Sequence, residues 1–247
     1  MTQLPMPPAS PSYSLEPDRD LTILIPARVG SVRIPGKNTK LLGGKPLIQW
    51  TIEAAQGANV VNIIVSTNGG SARGVALDHH CRIHHRKPEH ATAGSPDIEW
   101  VLDVLPMVNT PYIAICRPTS PFRTASTIRR CYAAFLGSGA DSIRAVTRVM
   151  HPHPAKMWQL DGKLMRPVMA GCHPDGTPYH SSPTQSLPEV FVQNASLEMT
   201  SVANVHATKT ISGIRIAPFF TDDREGFDLN TEADWREAER IAATVVN

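Results

Sequence analysis

The chain has 247 residues, of which 41% are apolar, and its 24 Lys and Arg side chains nearly balance its 22 Asp and Glu side chains. This length and apolar content predict one globular core, with or without a small annex, and argue against disorder of the whole chain. The formal charge of +2 is too small to indicate a general nucleic-acid or membrane-surface binder. A site for an anion therefore has to be local.

The cysteines and the first residues bear on the cellular compartment. The cysteines are Cys81, Cys116, Cys131 and Cys172. They contain no C-x-x-C pair, which disfavours a zinc ribbon or a disulfide framework and predicts a reducing, cytoplasmic location. Residues 1–20 are rich in Pro and Ser and predict a flexible tail rather than a targeting signal. No apolar run approaches the roughly 18 residues that a membrane span needs.

After the tail, short apolar runs typical of strands alternate with longer segments of helical spacing. The predicted order is strand 21–27, helix 46–58, strand 60–67, helix 98–108, strand 112–120 running into a loop, helix 124–140 and strand 141–149. This alternation predicts a mainly parallel sheet covered by helices on both faces. Ligands of such sheets bind beyond the carboxyl ends of the strands.

The alternation breaks between residues 151 and 188, where Pro, His, Gly and Ser are frequent. We interpret this segment as an inserted arm within one domain that spans residues 21–247. The sheet is predicted to resume over 189–199, and an amphipathic helix over 231–246 ends the chain, with Thr231 as its N-cap.

The loop after the first strand, within "LTILIPARVGSVRIPGKN", combines glycines with positive charge. Gly30 and Gly36 permit tight turns that aim backbone amides at one anion. Its cations are Arg28, Arg33, Lys37 and Lys40. This combination predicts a polyphosphate site, with a solvated basic turn as the alternative. Neither G-x-x-x-x-G-K-[ST] nor G-x-G-x-x-G is present, which disfavours a P-loop NTPase and a conventional NAD enzyme.

The histidine pairs at 79–80 and 84–85, and "HPHP" at 151–154, raise the question of a transition-metal site. None of them has the H-x-x-x-H or H-E-x-x-H spacing of a zinc motif on a helix. We therefore interpret His151 and His153 as residues of the arm rather than as metal ligands.

The segment "IPARVGSVRIPGKN" is similar to the signature loop of the acylneuraminate cytidylyltransferases, which make CMP-activated sialic acids and related nonulosonic acids. Further segments of the family pattern follow in order: "KPLIQWTIEAA", "KPEHATAGSPDIEWVL", "RPTSPFR", "LPEVFVQNASLEM" and "GFDLNTEADW". The resemblance covers the chain from Leu21 onward. It implies a Rossmann-like three-layer α/β/α nucleotidyltransferase fold, and a two-fold homodimer with the arm at the interface.

The resemblance also implies a reaction between CTP and a nine-carbon acidic sugar. The anomeric hydroxyl attacks the α-phosphorus of CTP and pyrophosphate leaves, a chemistry that depends on positioning and charge neutralisation. Arg28 and Lys37 would hold the triphosphate and act in catalysis together with Asp228. The remaining nucleotide contacts that it implies are Ala27, Gly30, Ser31, Asn38, Lys87, Ser95 and Asp97.

The segment "CRPTSPFR" resembles the family's Q-P-T-S-P-L-R, which faces the acceptor sugar. Arg117 stands where the family has glutamine, and the guanidinium groups of Arg117 and Arg123 suit a substrate carboxylate. The substrate contacts implied by the resemblance are Arg117, Thr119, Ser120, Arg123, Gln193 and Asn194.

The segment "FDLNTEADW" resembles the family's D-x-D-T-x-x-D-W. Two carboxylates at i and i+2 of an extended chain project to one side and share a hard cation such as Mg²⁺. Here the second position is Asn230, so Asp228 is the predicted metal ligand, and Asn230 is a neutral ligand or the holder of a bound water. We interpret Asp234 as an acid in the first turn of the last helix.

Several positions depart from the family pattern, and they leave the acceptor sugar open. Besides Asn230 and Arg117, they are Val32, Lys87, Ala93 and Thr184. A non-catalytic nucleotide-sugar binding homologue and a CTP-dependent Kdo cytidylyltransferase remain alternatives. Because Arg28, Lys37 and Asp228 are all present, the catalytic interpretation is favoured.

Overall fold

The structure is a computed structural model that describes residues 17, 19–31, 33–149 and 151–245. Residues 1–16 and 18 of the predicted tail, and Val32, lie outside the described residues. The chain divides into two compact units, the first formed by Met1–Ala145 with Asn194–Asn247 and the second by Val146–Gln193. The predicted arm, 151–188, lies within the second unit.

Strands and helices alternate along much of the described chain. The strands are β1 (Leu21–Pro26), β2 (Leu41–Leu42), β3 (Lys45–Pro46), β4 (Asn62–Thr67), β5 (Arg82–His85), β6 (Tyr112–Ile115), β7 (Ser142–Arg148), β8 (Trp158–Asp161), β9 (Leu164–Pro167), β10 (Phe191–Ser201) and β11 (Ile216–Phe220). The α-helices are α1 (Leu47–Gly57), α2 (Gly70–Asp78), α3 (Asp97–Val104), α4 (Ala125–Ser138), α5 (Val202–Thr208) and α6 (Glu232–Val245).

The central feature of the described residues is a seven-stranded sheet in the order β11-β7-β10-β6-β1-β4-β5. β1 runs parallel to β4 and to β6, and β4 runs parallel to β5, whereas β10 is antiparallel to β6. The predicted mainly parallel α/β fold is confirmed. The carboxyl ends of β1, β4 and β6 lie side by side, because all three run in one direction.

Apolar side chains cover both faces of the sheet, which explains the three layers. Along β1, Ile23 and Ile25 belong to one core cluster, and Leu24 between them belongs to another. The first cluster includes Ile52 and Ile128 of α1 and α4, and the second includes Trp100 and Val104 of α3. Successive side chains of a strand point to opposite faces, so a strand with apolar side chains on both faces needs a helix layer on each side.

The predicted elements are present with small shifts at their ends. The predicted helix 98–108 ends at Val104, and the chain continues as a 3-10 turn, Leu105–Met107, that contains Pro106. The predicted strand 112–120 ends at Ile115. The structure adds α2, β5, α5 and β11, which the sequence pattern did not predict. Thr231 accepts a 3.2 Å hydrogen bond from the amide of Asp234, which confirms it as the cap of α6.

The second unit contains the antiparallel hairpin β8–β9, whose apolar side chains are largely exposed. His153 stabilises the segment that precedes β8. The Nδ1 atom of His153 accepts a hydrogen bond from the amide of Ala155 at 3.1 Å, and its Nε2 lies 3.0 Å from the carbonyl of Pro188. Lys156 donates to the carbonyls of His180 and Ser182. Of the described helices, none is both long and apolar enough to cross a membrane.

Candidate functional site

The loop after β1 is fixed to the neighbouring strand β4. The amide of Ala27 donates to the carbonyl of Ser66 at 2.9 Å, and the carbonyl of Ala27 accepts from Oγ1 of Thr67 at 2.7 Å. Gly30 and Gly36 adopt φ angles of 90° and 63°, which side chains other than glycine rarely adopt. The backbone of this loop is therefore held in a defined conformation at the carboxyl ends of β1 and β4.

Polar side chains close this loop on itself. Nδ2 of Asn38 donates to the carbonyl of Arg28 at 3.2 Å, and Nη1 of Arg28 donates to the carbonyl of Gly30 at 3.2 Å. Asn38 thus holds the backbone that carries Arg28. A cavity along this loop is also lined by Gly70, Ser71 and Ala72 at the start of α2.

Lys37 connects the loop with the segment before α6. Its Nζ donates to the carbonyl of Leu229 at 2.9 Å. Burial lowers the pKa of Lys37 and the nearby Arg33 and Arg28 lower it further, while Asp228 and Asp234 oppose them, and the net pKa lies below the ordinary value. The first and the last family segments therefore meet at one amino group.

The segment before α6 also reaches the loop after β6, because the amide of Leu229 donates to the carbonyl of Thr119 at 2.8 Å. Beside it, Oδ2 of Asp228 accepts from Nδ2 of Asn230 at 2.6 Å. Oδ1 of Asp228 is buried and has no hydrogen-bond partner among the described residues. A buried carboxylate oxygen without a partner needs an explanation such as an ion or a water.

Asp234 acts at the start of α6, as interpreted from the sequence. Its Oδ2 accepts from the amides of Asn230 at 2.9 Å and Thr231 at 2.7 Å. Burial alone would raise the pKa of Asp234, but these hydrogen bonds and Lys37 hold it below the ordinary value. Asp234 is thus occupied in capping the helix.

A first cleft of about 190 Å³ opens at the carboxyl ends of β1 and β6. Its lining consists of Pro26, Arg28, Ser31, Lys37, Asn38, Arg86, Asp97, Arg117, Pro118 and Thr119. The structure therefore brings together predicted nucleotide residues and two predicted substrate residues, Arg117 and Thr119. Ala27 and Gly30 line the adjoining cavity of the same loop.

Arg117, which lines this cleft, lies between two carboxylates. Its Nη1 donates to Oε1 of Glu198 at 2.9 Å, and its Nη2 donates to Asp97. Burial would raise the pKa of Asp97, yet Arg117, the Trp100 indole and Arg86 hold it below the ordinary value. The charge of Arg117 is compensated within the protein, so the predicted pairing of Arg117 with a substrate carboxylate gains no support from this geometry.

A second cleft adjoins the first and shares Asp97 and Arg117 with it. It is also lined by Pro96, Ile98, Arg144, Glu198, Lys209, Thr210, Ile211 and Ser212. Nη1 of Arg144 pairs with Oε2 of Glu198 at 2.8 Å, so Glu198 bridges Arg117 and Arg144. This cleft offers hydroxyls and cations beside the first cleft.

Some predicted residues lie elsewhere. Nζ of Lys87 pairs with Oδ1 of Asp103 at 2.5 Å on the surface. Oγ of Ser95 donates to the carbonyl of Glu89 at 2.7 Å, within its own loop. Neither residue is among those that line the first or the second cleft. Gln193 is exposed at the edge of the second unit.

Other predicted substrate residues are buried or hold the backbone. Arg123 is 2% exposed and donates to the carbonyl of Ser196 and, at 3.0 Å, to Oγ1 of Thr51. Ser120 is 1% exposed. Asn194 donates to Oγ1 of Thr221 at 2.8 Å and accepts from the amide of Ser196 at 3.1 Å. In this structure the contacts of Arg123 and Asn194 support the sheet.

The sequence interpretation missed Arg86, which lines the first cleft. It directly precedes Lys87, a predicted nucleotide contact that departs from the family pattern. Arg86 follows β5, a strand that the sequence pattern did not predict. The available signal was its position: a cation at the end of a strand next to β4 belongs to the ligand edge of a parallel sheet.

The parallel sheet, its helix layers and a cationic cleft at the strand ends define a nucleotidyltransferase-like α/β protein. Among solved structures, CMP:2-keto-3-deoxy-manno-octonic acid synthetase complexed with CTP shares this fold, with a TM-score of 0.68 and 15% identity. The similarity covers 92% of this chain and 99% of that structure.

Sequence comparison gives the family. The cytidylyltransferase family model matches residues 22–157, more than half of the chain. CMP-N,N'-diacetyllegionaminic acid synthase of Legionella pneumophila is 30% identical over 227 residues, which cover 88% of this chain and 94% of that protein. The 3-deoxy-manno-octulosonate cytidylyltransferase of Ruthia magnifica is 35% identical over 109 residues, 44% of each chain. The chain belongs to the cytidylyltransferase family, as the sequence motifs predicted.

Proposed function

We propose that this chain transfers the cytidylyl group of CTP to a nonulosonic acid. The oxygen of the acceptor's anomeric hydroxyl forms a bond to the α-phosphorus, and the hydroxyl proton passes to solvent. The bond from that phosphorus to the oxygen that bridges to the β-phosphorus breaks, and pyrophosphate and a CMP-sugar are released. The observation that carries this proposal is the position of Lys37, whose amino group connects the loop after β1 with Leu229 and lies near Asp228.

The cations of the first cleft suit a triphosphate. Arg28, Lys37 and Arg86 all line it, and none of them donates to a carboxylate there in the described structure. Such groups, held in place before the substrate arrives, stabilise charge on the phosphates without reorganising. Burial is the main cause of the lowered pKa of Lys37, and Asp228 and Asp234 only partly oppose it. An anion next to the amino group would offset the cost of burying its positive charge.

We propose Mg²⁺ as the cofactor, with Asp228 as its protein ligand and Asn230 beside it. The partnerless buried Oδ1 of Asp228 fits a hard cation. Within the described residues no group of three or more His, Cys, Asp and Glu could hold a metal ion. This agrees with Mg²⁺, which is usually bound through one or two carboxylates plus substrate phosphates and water. When bound, it would neutralise triphosphate charge.

The second cleft is the proposed place of the acceptor. It adjoins the first cleft at Asp97 and Arg117 and presents Lys209, Thr210 and Ser212. With Arg117 neutralised by Asp97 and Glu198, we assign recognition of the sugar carboxylate to the side of this cleft that carries Lys209. A nonulosonic acid is favoured over Kdo because the relative named for a legionaminic acid aligns over 94% of its length and the Kdo relative over 44%.

A pyrophosphate-release assay with CTP, Mg²⁺ and separate acceptors tests the reaction. We expect turnover with at least one nine-carbon acid, such as N,N'-diacetyllegionaminate or N-acetylneuraminate, and little with Kdo. Turnover with Kdo alone would favour the eight-carbon alternative. Tight CTP binding without turnover on any acceptor would favour the non-catalytic homologue. Full activity in excess EDTA, or in Asp228→Ala, would contradict the role of the metal.

We also propose a two-fold homodimer that uses the second unit. The hairpin β8–β9 exposes Leu160 at 82%, Leu164 at 76% and Met165 at 59%. Exposed apolar side chains in a cluster indicate an interaction surface. Light scattering at micromolar concentration should give a dimer, and Leu160→Lys with Leu164→Lys should give a monomer. A monomeric wild-type protein would contradict this proposal.

A cytoplasmic location is proposed from the thiols. All four cysteines are free in the described structure, and Cys81, Cys116 and Cys131 are buried. Free thiols persist in a reducing compartment. Recovery of the protein in a periplasmic or secreted fraction would contradict it.

A further inference from the structure

Arg86 is unusual among the cations of the first cleft because it is almost fully buried. Its side chain is 6% exposed, and its guanidinium carbon lies 4.5 Å from the centre of the Trp100 ring. Its amide donates to the carbonyl of Thr67 at 3.0 Å, which fixes its backbone against β4. Its Nη2 is buried and has no hydrogen-bond partner within the described part of the chain. An unpaired donor of a buried arginine, in a cleft, indicates a place for a ligand acceptor.

Three side chains behind Arg86 form a chain of polar contacts. Nε of Arg86 donates to Oγ of Ser66 at 3.0 Å. Oγ of Ser66 lies 2.9 Å from Nδ1 of His84, and Nε2 of His84 lies 3.3 Å from Oδ2 of Asp103. Ser66 and His84 are 0% and 6% exposed, so water does not compete for these contacts. The chain connects β4, β5 and α3.

The hydrogen positions follow from the chemistry of the four groups. Arginine can only donate, so Oγ of Ser66 accepts from Arg86. The Ser66 hydroxyl hydrogen is then available for Nδ1 of His84, which must accept. Nε2 therefore carries the hydrogen of the neutral imidazole and donates to the carboxylate of Asp103. Every donor in the chain has an acceptor only in this one arrangement.

We propose that Ser66, His84 and Asp103 are positioning residues that hold the guanidinium of Arg86 with its Nη2 directed at an oxygen of bound CTP. The proposal rests on the proposed function, because it takes CTP as the occupant of the first cleft. It goes beyond that function in assigning a role to three residues outside the cleft. Ser66 is not a nucleophile here: it is fully buried, and its hydroxyl is committed to Arg86 and His84.

The groups around His84 keep it neutral, as this arrangement requires. Burial lowers the pKa of His84, and the charges of Arg86 and His85 lower it further, while Asp103 opposes them. Asp103 also pairs with Lys87 and lies 3.7 Å from Nδ1 of His90. A protonated His84 would have to donate to Ser66 and would place a second positive charge behind Arg86. We call the contacts from Arg86 through Ser66 and His84 to Asp103 the relay. The relay is therefore complete only with a neutral imidazole.

Nitrogen-15 NMR of the imidazoles tests the relay without CTP. At neutral pH we expect His84 as the neutral tautomer with hydrogen on Nε2, and we expect Ser66→Ala to accelerate exchange of the Arg86 Nε hydrogen. A His84 protonated at neutral pH, or a tautomer with hydrogen on Nδ1, would overturn the relay. This outcome does not depend on whether the protein is a cytidylyltransferase.

Binding of CTP tests what the relay is for. We expect Ser66→Ala to raise the Kd for CTP about tenfold, the size of one hydrogen bond to a charged group. Arg86→Met keeps the apolar stem against Trp100 and should raise the Kd at least as much. In the Arg86→Met background, Ser66→Ala should add less than about twofold, because a positioning residue acts only through its target.

Thr22→Val is the matched control. Thr22 is a buried strand residue whose hydroxyl lies 2.7 Å from Oγ1 of Thr110, at the opposite end of β1. The Thr22→Val variant should lower the unfolding temperature about as much as Ser66→Ala and leave the Kd for CTP unchanged. The positioning role is wrong if Ser66→Ala weakens CTP binding equally in the wild-type and Arg86→Met backgrounds. It is also wrong if Thr22→Val weakens CTP binding as much as Ser66→Ala does. A wild-type protein that does not bind CTP would overturn the proposed function and the nucleotide contact of Arg86, while the NMR result would still decide the relay.

Discussion

Nζ of Lys37 donates a 2.9 Å hydrogen bond to the carbonyl of Leu229, a residue 192 positions later in the sequence. The carbonyl fixes the amino group but leaves its positive charge in place. A carboxylate in direct contact would cancel that charge. Asp228 and Asp234 are near enough to raise the pKa of Lys37, yet burial and two arginines outweigh them. Lys37 is therefore a cation with a fixed position, and the nearby acidic groups do not fully offset the burial of its charge.

This relationship predicts the effect of Lys37→Ala. We expect kcat/KM for CTP to fall about thirty-fold to a thousand-fold, since a positioned charge in such a site contributes roughly 2 to 4 kcal/mol. Steady-state pyrophosphate release measures the effect. Arg28→Ala should belong to the same class, because Arg28 lines the same cleft.

Lys40→Ala is the matched control on the same loop. Lys40 is 38% exposed, lies 3.6 Å from Glu232 and packs over the ring of Trp235 at 4.2 Å. Its loss should change kcat/KM by less than about threefold, because an exposed pair contributes about 0 to 1 kcal/mol. Arg33→Ala is expected to behave in the same way. If Arg28→Ala and Lys37→Ala change kcat/KM as little as Lys40→Ala and Arg33→Ala, the loop is only a solvated basic turn.

The parts of the fold that the sequence predicted are those with strong patterns. β1 is apolar except for Thr22, and α1 buries Leu47, Ile48 and Ile52 at helical spacing. The missed helix α2 buries only Ala72 and Ala76, and the missed strand β11 buries only Phe219 among its described residues. Elements with so little buried apolar surface leave no periodic signal. Their position depends on the sheet that they join.

The candidate site also contains residues that the sequence predicted and residues that it missed. Residues within a rigid motif, such as Arg28 and Lys37, line the predicted cleft. A shift of one residue separates Arg86 in the cleft from Lys87 on the surface, and motif spacing cannot resolve such a shift. Whether an arginine faces a cleft or the core, as Arg123 does, depends on contacts with β10 that are distant in sequence.

Arg123→Ala should act on stability more than on affinity. Its guanidinium is 2% exposed and donates to Ser196 and Thr51, so its loss leaves a cavity and two buried acceptors without donors. We expect the free energy of unfolding to fall by about 2 to 4 kcal/mol, with the KM for the acceptor sugar changed little. Urea unfolding and acceptor titration measure the two effects. A large rise in KM at unchanged stability would restore the substrate role predicted from the sequence.

Asn230→Asp should create a stronger Mg²⁺ site and lower the stability of the metal-free protein. The change replaces the 2.6 Å hydrogen bond from Asn230 to Asp228 by two adjacent carboxylates, which repel each other until a cation binds. In EDTA the unfolding temperature should fall below that of the wild type, and added Mg²⁺ should raise it by a larger increment. Thermal unfolding across a Mg²⁺ titration measures this difference.

Asp228→Asn is the reciprocal control, because it removes the carboxylate and keeps the size of the side chain. Its unfolding temperature should not respond to Mg²⁺, and its turnover should be largely lost. An equal response to Mg²⁺ in Asp228→Asn and Asn230→Asp would place the metal away from this segment.

His84 predicts a specific loss of stability in acid. Burial, aided by Arg86 and His85, lowers its pKa below the ordinary 6.5 in the folded protein, although Asp103 opposes the shift. A group whose folded-state pKa is lowered favours the folded state above its unfolded-state pKa, and this stability is lost as the pH falls toward the folded-state pKa. The window therefore begins near 6.5 and extends downward.

His84→Asn removes this titration while its amide oxygen can still accept from Ser66. The variant should be less stable than the wild type above the window, because the contact with Asp103 is lost, and the difference should shrink as the pH falls through it. Asp103 does not itself titrate there, because Lys87 and His84 hold its pKa below the ordinary carboxyl value. Urea unfolding of both proteins at a series of pH values measures the difference. A difference that stays constant across the window would mean that His84 is not held neutral by the fold, and the relay behind Arg86 would then lack the tautomer on which it depends.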